Sequence, residues 1–174
     1  TLKGKPQNVF GKTKAEIYKN EELYNMMMAL GVEDEVENLR YNRVIIATDA
    51  DVDGFHIRNL LLTFFLNYFE ELVGAGHIYI LETPLFRVRN KSETWYCYSE
   101  AERNKAQRKL KNPEVTRFKG LGEISPGEFG QFINADMRLV KVDVRSMAAV
   151  PDTLSFYMGK NTPDRRDYIM ENLV

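Results

Sequence analysis

"RVIIATDADVDGFHIRNLLL", residues 43–62, decides how this chain is read. The apolar run Val44 to Ile46 is followed by aspartates at every second position, Asp49, Asp51 and Asp53, then by Gly54 and a long apolar stretch. The run reads as a short buried strand and the stretch after Gly54 as a helix, which places the carboxylates on the turn between them. Three ionised carboxylates repel one another unless a cation sits among them, and hard oxygen donors suit Mg2+ or Ca2+ rather than a soft metal. The plain alternative is a solvated acidic turn. D-x-D-x-D-G also opens an EF-hand loop, which requires a bidentate glutamate at its twelfth position. Counted from Asp49 that position is Leu60, set among Ile57, Leu61 and Leu62 in an apolar helix, so the EF-hand reading is set aside.

Residues 54–76 read as one helix, apolar nearly all round and stopped by Gly74 and Gly76, a pattern that requires burial on most sides. "HIYILETPLFRV" (77–88) gives an apolar strand pair broken at Pro84. Strand, acidic turn, helix, strand is the order of an α/β unit with a parallel sheet, whose ligands bind at the carboxyl ends of strands. Before it, "EELYNMMMALG" (21–31) has helical spacing and stops at Gly31, with its methionines as core filler. After it, "FRVRNKSETWYCYS" (86–99) reads as a hairpin around Asn90 and Lys91, then a charged helix over 100–111. "VTRFKGLGEISPGEF" (115–129) is a strand running into glycines and a helix start at Ser125 and Pro126. "TPDRRDYIMENL" (162–173) opens a last helix with Thr162 as N-cap and Pro163 at the first helical position.

The 174 residues suit one domain or a domain with an appendage, and 44% apolar content is enough for a core. A formal net charge of −1 with 28% charged residues means that an anionic partner has to be met by local clusters. Cys97 is the single cysteine, which excludes an internal disulfide and a thiolate metal site; in "TWYCYS" it reads as a packed strand thiol. No stretch reaches membrane-spanning length and the opening lacks the apolar core of a signal peptide, so a cytoplasmic protein without membrane contact is expected. The start at Thr1, in what reads as a loop, suggests a piece of a longer protein.

Carboxylates at the tip of a buried strand, with His56 and Arg58 on the first turn of the next helix, suit phosphate chemistry. A metal on Asp49 and Asp51 would bridge to a phosphodiester, with basic side chains and helix-end N–H groups meeting the other oxygens. His56 taken alone fits a capping or core histidine as well.

"DADVDGFHIRNLLLTFF" (49–65) resembles the acidic motif of the Toprim domain in B subunits of bacterial type IIA topoisomerases, the family of DNA gyrase and topoisomerase IV. "LKGKPQNV" (2–9), "GHIYILETPLFRV" (76–88), "RFKGLGEISPGEF" (117–129) and "MGKNTPDRRDYI" (158–169) are similar to further landmarks of that family, in family order across nearly the whole chain. The resemblance implies an α/β Toprim domain, a Rossmann-like parallel sheet flanked by helices, over residues 1–88 and without its first strand. A smaller α+β tail region with the hairpin, the KGLGE segment and the terminal helices follows over 89–174. It implies ATP-dependent passage of one duplex through a double-strand break in another. Partners are double-stranded DNA and an A subunit, two A and two B forming a heterotetramer. The A subunit's tyrosine attacks DNA, so none of the tyrosines here is the nucleophile. ATP is bound by an N-terminal domain outside this chain.

By the same resemblance Asp49 and Asp51 are ligands of Mg2+, for which Mn2+ or Ca2+ can substitute, and Asp53 is a supporting carboxylate or a further ligand. Lys5, Asn8 and His56 match DNA-contacting positions, and Arg165 or Arg166 matches a terminal-helix arginine near DNA. Lys119 is a partner for a phosphate or carboxylate, and Gly120 and Gly122 allow close backbone approach. Structural readings stand beside these: Lys5 as a surface lysine, the arginines paired with Asp167 or Glu171, the glycines as a tight turn. The family's metal site also needs a glutamate from an "EGDSA"-like turn, expected upstream of Thr1. No catalytic residue of this chain is therefore certain, and the chain alone is expected neither to cleave DNA nor to hydrolyse ATP, with weak metal affinity. The short link between Tyr98 and Arg117 excludes a gyrase with a long insertion there; "TRFKGLGE" and "GHIYI" favour topoisomerase IV over a gyrase without the insertion. Another Toprim metal-dependent nucleic-acid enzyme, or a docking module without metal, are the alternatives.

Overall fold

The computed structural model describes residues 1–33 and 36–173, Val36 by its backbone alone. In chain order the helices are α1 (Lys14–Tyr18), α2 (Glu21–Leu30), α3 (Val52–Tyr68), α4 (Glu70–Gly74), α5 (Glu100–Lys109), α6 (Pro126–Phe129), α7 (Val150–Met158) and α8 (Thr162–Asn172). The strands are β1 (Val44–Ile46), β2 (Ile78–Leu81), β3 (Phe86–Arg89), β4 (Thr94–Cys97), β5 (Glu114–Arg117) and β6 (Leu139–Lys141). They form two three-stranded sheets, ordered β1-β2-β6 and β4-β3-β5. The chain divides into two compact units, Thr1–Val44 with Asn59–Ile78 and Lys141–Val174, and Ile45–Arg58 with Tyr79–Val140.

In the first unit, α2 starts where the Asn20 side chain accepts the Leu23 N–H and stops where Gly31 takes the left-handed conformation (φ 77°), as its sequence requires. Of the methionines it carries, Met27 is buried while Met28 is exposed, so only part of that run fills the core. The apolar stretch over 54–76 is not one helix. It breaks at Phe69 (φ −139°, ψ 44°), whose ring is buried with its centroid 5.3 Å from that of Phe64. Phe69 N–H still reaches the Phe65 carbonyl, but its own carbonyl accepts from Leu72 N–H, a tight turn that starts α4. Phe69 packs against Phe64 and Phe65 at the break, and no glycine or proline marks it.

The N-cap of α8 is Asn161, one residue before the expected Thr162, which puts Pro163 at the second helical position. Asn161 Nδ2 donates to Asp164 instead of the side chain accepting a backbone N–H.

In the second unit, β3 pairs antiparallel with both neighbours, Val88 opposite Trp95 on one side and Val115 on the other. The expected hairpin turns where Asn90 Oδ1 accepts the N–H groups of Ser92 and Glu93. Phe86, Val88 and Cys97 bury one face against Ala106 and Leu110 of the α5 segment. The two strands flanking Pro84 fall in different sheets, β2 in one and β3 in the other. Beyond β5, Phe118, Ile124 and Phe132 form a second small core. Ser125 and Glu128 cap α6 reciprocally, and Glu128 Oε1 ties that helix to the sheet through Arg87 Nη1 at 2.5 Å and the Tyr96 hydroxyl at 3.2 Å. Arg87 holds the Glu128 carboxyl well below the usual range, at about 2.

Candidate metal centre

The second unit contains the whole acidic turn. β1 ends at Ile46, Thr48 is buried, and α3 begins at Val52, so Asp49 and Asp51 occupy the link and Asp53 the first helical turn. Gly54 is glycine because the helix start lies on the strand end: a Cβ there would overlap the Asp49 carbonyl carbon and oxygen. Asp51 Oδ1 accepts the Gly54 N–H at 2.8 Å, which gives the first turn of α3 its cap. Asp49 Oδ1 accepts the Leu121 N–H at 2.5 Å, a bond spanning 72 residues of sequence.

Each of these two carboxylates is thus aimed by a backbone donor through one oxygen, and a carboxylate has a second oxygen with its own lone pairs for a cation. Two hard oxygen donors at a strand end fit Mg2+, which keeps several waters and binds through one or two carboxylates plus substrate phosphates. Among the described residues, no three His, Cys, Asp or Glu side chains converge closely enough to hold a metal ion by themselves.

Arg58 lies one helical turn on from Gly54. Its Nη2 reaches Thr48 Oγ1 at 3.4 Å, and its guanidinium stands 5.0 Å from the Phe55 ring centroid. Its Nε is buried without a hydrogen-bond partner among the described residues. Burial lowers the Arg58 pKa from its ordinary value, against the pull of the Glu82 charge. His56 is exposed at the start of the second turn of α3, which begins at Val52, and Lys119 is exposed beside Gly120, its backbone N–H donating to Glu123 Oε2 at 2.9 Å.

The remaining expected DNA contacts, Lys5, Asn8, Arg165 and Arg166, belong to the first unit. Asn8 Nδ2 donates to the Met158 carbonyl at the end of α7, and its Oδ1 accepts the Phe10 N–H. Arg165 Nη1 donates to the carbonyls of Phe156 and Gly159, both at 2.8 Å, so it closes the same helix end. Arg166 is exposed and pairs with Asp167 at 2.7 Å. Sequence reasoning missed the contact of Leu121 N–H with Asp49 and the Arg87–Glu128 anchor; of the "KGLGE" glycines, Gly120 makes the expected close approach, to Asp49, whereas a Cβ on Gly122 would meet nothing within 4 Å.

Residues 4–83 match the Toprim domain family, and residues 110–170 match the family described as the carboxyl terminus of the DNA gyrase B subunit. The whole chain aligns with the B subunit of DNA topoisomerase 4 from Borreliella burgdorferi at 66% identity, covering 29% of that protein. The DNA gyrase B subunit of Clostridium acetobutylicum is 38% identical over 98% of the chain, which covers 28% of its length. The chain therefore spans under a third of these relatives. Among solved structures, the topoisomerase II DNA-binding, cleavage and re-ligation domain of Plasmodium falciparum superposes with a TM-score of 0.80 over 99% of this chain and 25% of its own, at 24% identity, a likeness of fold.

Proposed function

This chain belongs to the Toprim-bearing B subunits of type IIA DNA topoisomerases, the family of DNA gyrase and topoisomerase IV, and from that premise we propose that it supplies the divalent-metal part of a DNA cleavage and religation centre. The observation that supports this is the pair Asp49 and Asp51, each oriented by a backbone N–H at the end of β1. Asp49 and Asp51 would hold Mg2+, with Asp53 supporting or ligating. The chemistry such an ion supplies is neutralisation of charge on the scissile phosphate and the leaving 3′ oxygen. The chain's own residues bind and orient: the two carboxylates fix the cation's place, while His56 and Lys119 meet phosphate oxygens on the same unit.

Lys5 and Arg166 are proposed as DNA contacts of the first unit, the guanidinium of Arg166 being available by exchange of its exposed pair with Asp167. Asn8 and Arg165 are proposed as DNA contacts there too, while Asn8 Nδ2 and Arg165 Nη1 also bond the backbone carbonyls at the end of α7. The division into a Toprim region over 1–88 and a tail region over 89–174, action with an A subunit in the cytoplasm, and ATP use by another part of the longer protein belong to the same proposal. Identity of 66% to a topoisomerase IV relative against 38% to a gyrase relative favours the topoisomerase IV type.

The test is DNA cleavage by the complete B subunit paired with its A subunit. Asp49→Ala and Asp51→Ala should each abolish Mg2+-dependent cleavage while leaving the protein folded and able to bind its partner. Wild-type cleavage by both variants would end the assignment.

A further inference from the structure

The Asp49 carboxylate is gripped by a part of the chain far from it in sequence. Oδ1 accepts the Leu121 N–H at 2.5 Å. Gly120 lies against the same group: a Cβ added there would stand 3.1 Å from Oδ2, 3.3 Å from Cγ and 3.4 Å from Oδ1. The backbone of Gly120 is extended (φ −157°, ψ 163°), a conformation open to any residue, so its own geometry does not call for glycine. What calls for it is the Asp49 side chain.

The gripping segment is itself fixed. Leu121 packs with Phe118, Ile124 and Phe132, and the segment runs into α6, which Glu128 ties to Arg87 and Tyr96. At the other end of the residue, Gly54 lies against the Asp49 backbone and Arg58 reaches the neighbouring Thr48. A carboxylate's last torsion is broad and two-fold when nothing holds it. Here the Leu121 N–H on Oδ1 and the close backbone of Gly120 hold it.

We propose that the Gly120–Leu121 backbone is a positioning element for Asp49, fixing which oxygen and which carboxylate orientation are presented to a divalent cation. The inference rests on the reading of Asp49 as a metal ligand. It gives the "KGLGE" glycine a role through Asp49 rather than through DNA, and it gives Leu121 a role through its N–H beyond the packing of its side chain. Partners of this kind, one bond removed from a metal, typically change metal affinity or activity by about 10–100-fold when lost.

Leu121→Pro removes this one N–H. Leu121 opens a short 3-10 turn, where the fixed φ of proline fits, and residue 120 is extended, as the residue before proline prefers. Leu121→Ala keeps the N–H and loses the side chain, so it is the baseline. In the complete B subunit with its A subunit, Mg2+ is titrated and cleaved DNA measured, with Mn2+ binding by electron paramagnetic resonance as a second readout. Leu121→Pro should need about tenfold or more Mg2+ for half-maximal cleavage than Leu121→Ala, and bind Mn2+ correspondingly more weakly, yet reach the same cleavage at saturating metal. Gly120→Ala, which presses on the carboxylate while keeping the N–H, should shift in the same direction; in Leu121→Pro the ring Cδ takes the place of the N–H and displaces the carboxylate as well. A common half-point for Leu121→Pro and Leu121→Ala overturns the proposal, as does a loss equal at every Mg2+ concentration. Should Leu121→Pro fail to fold, an unshifted half-point in Gly120→Ala overturns it. Asp49→Ala, run alongside, separates the premise: unchanged cleavage there removes the ligand assignment itself. Abolished cleavage there, with Leu121→Pro tracking Leu121→Ala, leaves the assignment standing and removes the positioning role.

Discussion

Glu128→Gln tests the anchor that holds the segment bearing Gly120 and Leu121. Arg87 Nη1 meets Glu128 Oε1 at 2.5 Å with side chains only 16% and 21% exposed, so the pair is partly shielded from solvent. Arg87 leads the causes that lower the Glu128 pKa from 4.5 to about 2, ahead of the opposing desolvation and the Ser125 bonds. At about 1.4 kcal/mol per pKa unit this corresponds to about 3 kcal/mol, and solvent screening reduces it to about 2 kcal/mol. Glutamine keeps an acceptor but not the charge, leaving the guanidinium of Arg87, whose Nε is already buried without a partner among the described residues, uncompensated. The variant should therefore unfold in urea with about 2 kcal/mol less stability at pH 7, or melt about 4–8 °C lower. The sign follows from a depressed carboxyl pKa. The wild-type advantage is full above about 4.5 and is lost as pH falls from there towards about 2. Urea unfolding of both proteins from pH 7 down to pH 3 should show the gap narrow below about 4.5. A gap that stays constant over that range, or is absent at pH 7, would refute the assignment of this shift to the ion pair.

Gly54→Ala should cost about 1–3 kcal/mol in urea unfolding, because the new Cβ overlaps the Asp49 carbonyl and the strand end or helix start has to move; an unchanged midpoint would contradict that packing. Asp51→Asn retains an N-cap acceptor for Gly54 N–H, so stability should stay within about 0.5 kcal/mol while divalent-metal binding is lost, whereas Asp51→Ala loses the cap as well, worth about 1 kcal/mol. Equal stability losses in the two variants would refute the capping role. Cys97 is buried and its thiol pKa is raised by that burial and, secondarily, by Glu102, so the native chain should resist an aromatic disulfide reagent at pH 8 and react fully once unfolded. Rapid reaction of the native protein would count against the β3–β4 core.

Local chemistry was legible and long-range packing was not. Gly31, the Asn90 turn and the Ser125–Glu128 cap each announce themselves within four residues, because a turn or cap is made by neighbours. The acidic turn was legible too, since a strand followed by alternate aspartates and a glycine leaves few placements. The break at Phe69 was hidden: apolar residues on all sides erase the periodicity that would have marked the end of a helix, and Phe69 packs on Phe64 and Phe65 as core residues do. That Asn8 and Arg165 bond backbone carbonyls at the end of α7 was not legible either, because those contacts depend on tertiary proximity. Arg87 with Glu128, 41 residues apart, and Leu121 with Asp49, 72 apart, leave no periodic trace at all.

The central claim is that a divalent cation sits on Asp49 and Asp51. Iron-directed hydroxyl-radical cleavage tests it most directly: Fe2+ bound in place of Mg2+ in the full-length protein, with ascorbate and peroxide, cuts backbone close to the ion. Cuts should cluster around residues 48–54 and 120–121, be suppressed by excess Mg2+, and disappear in Asp49→Ala. Absence of cuts in those two segments, or a pattern indifferent to Mg2+ and to Asp49→Ala, would contradict the account.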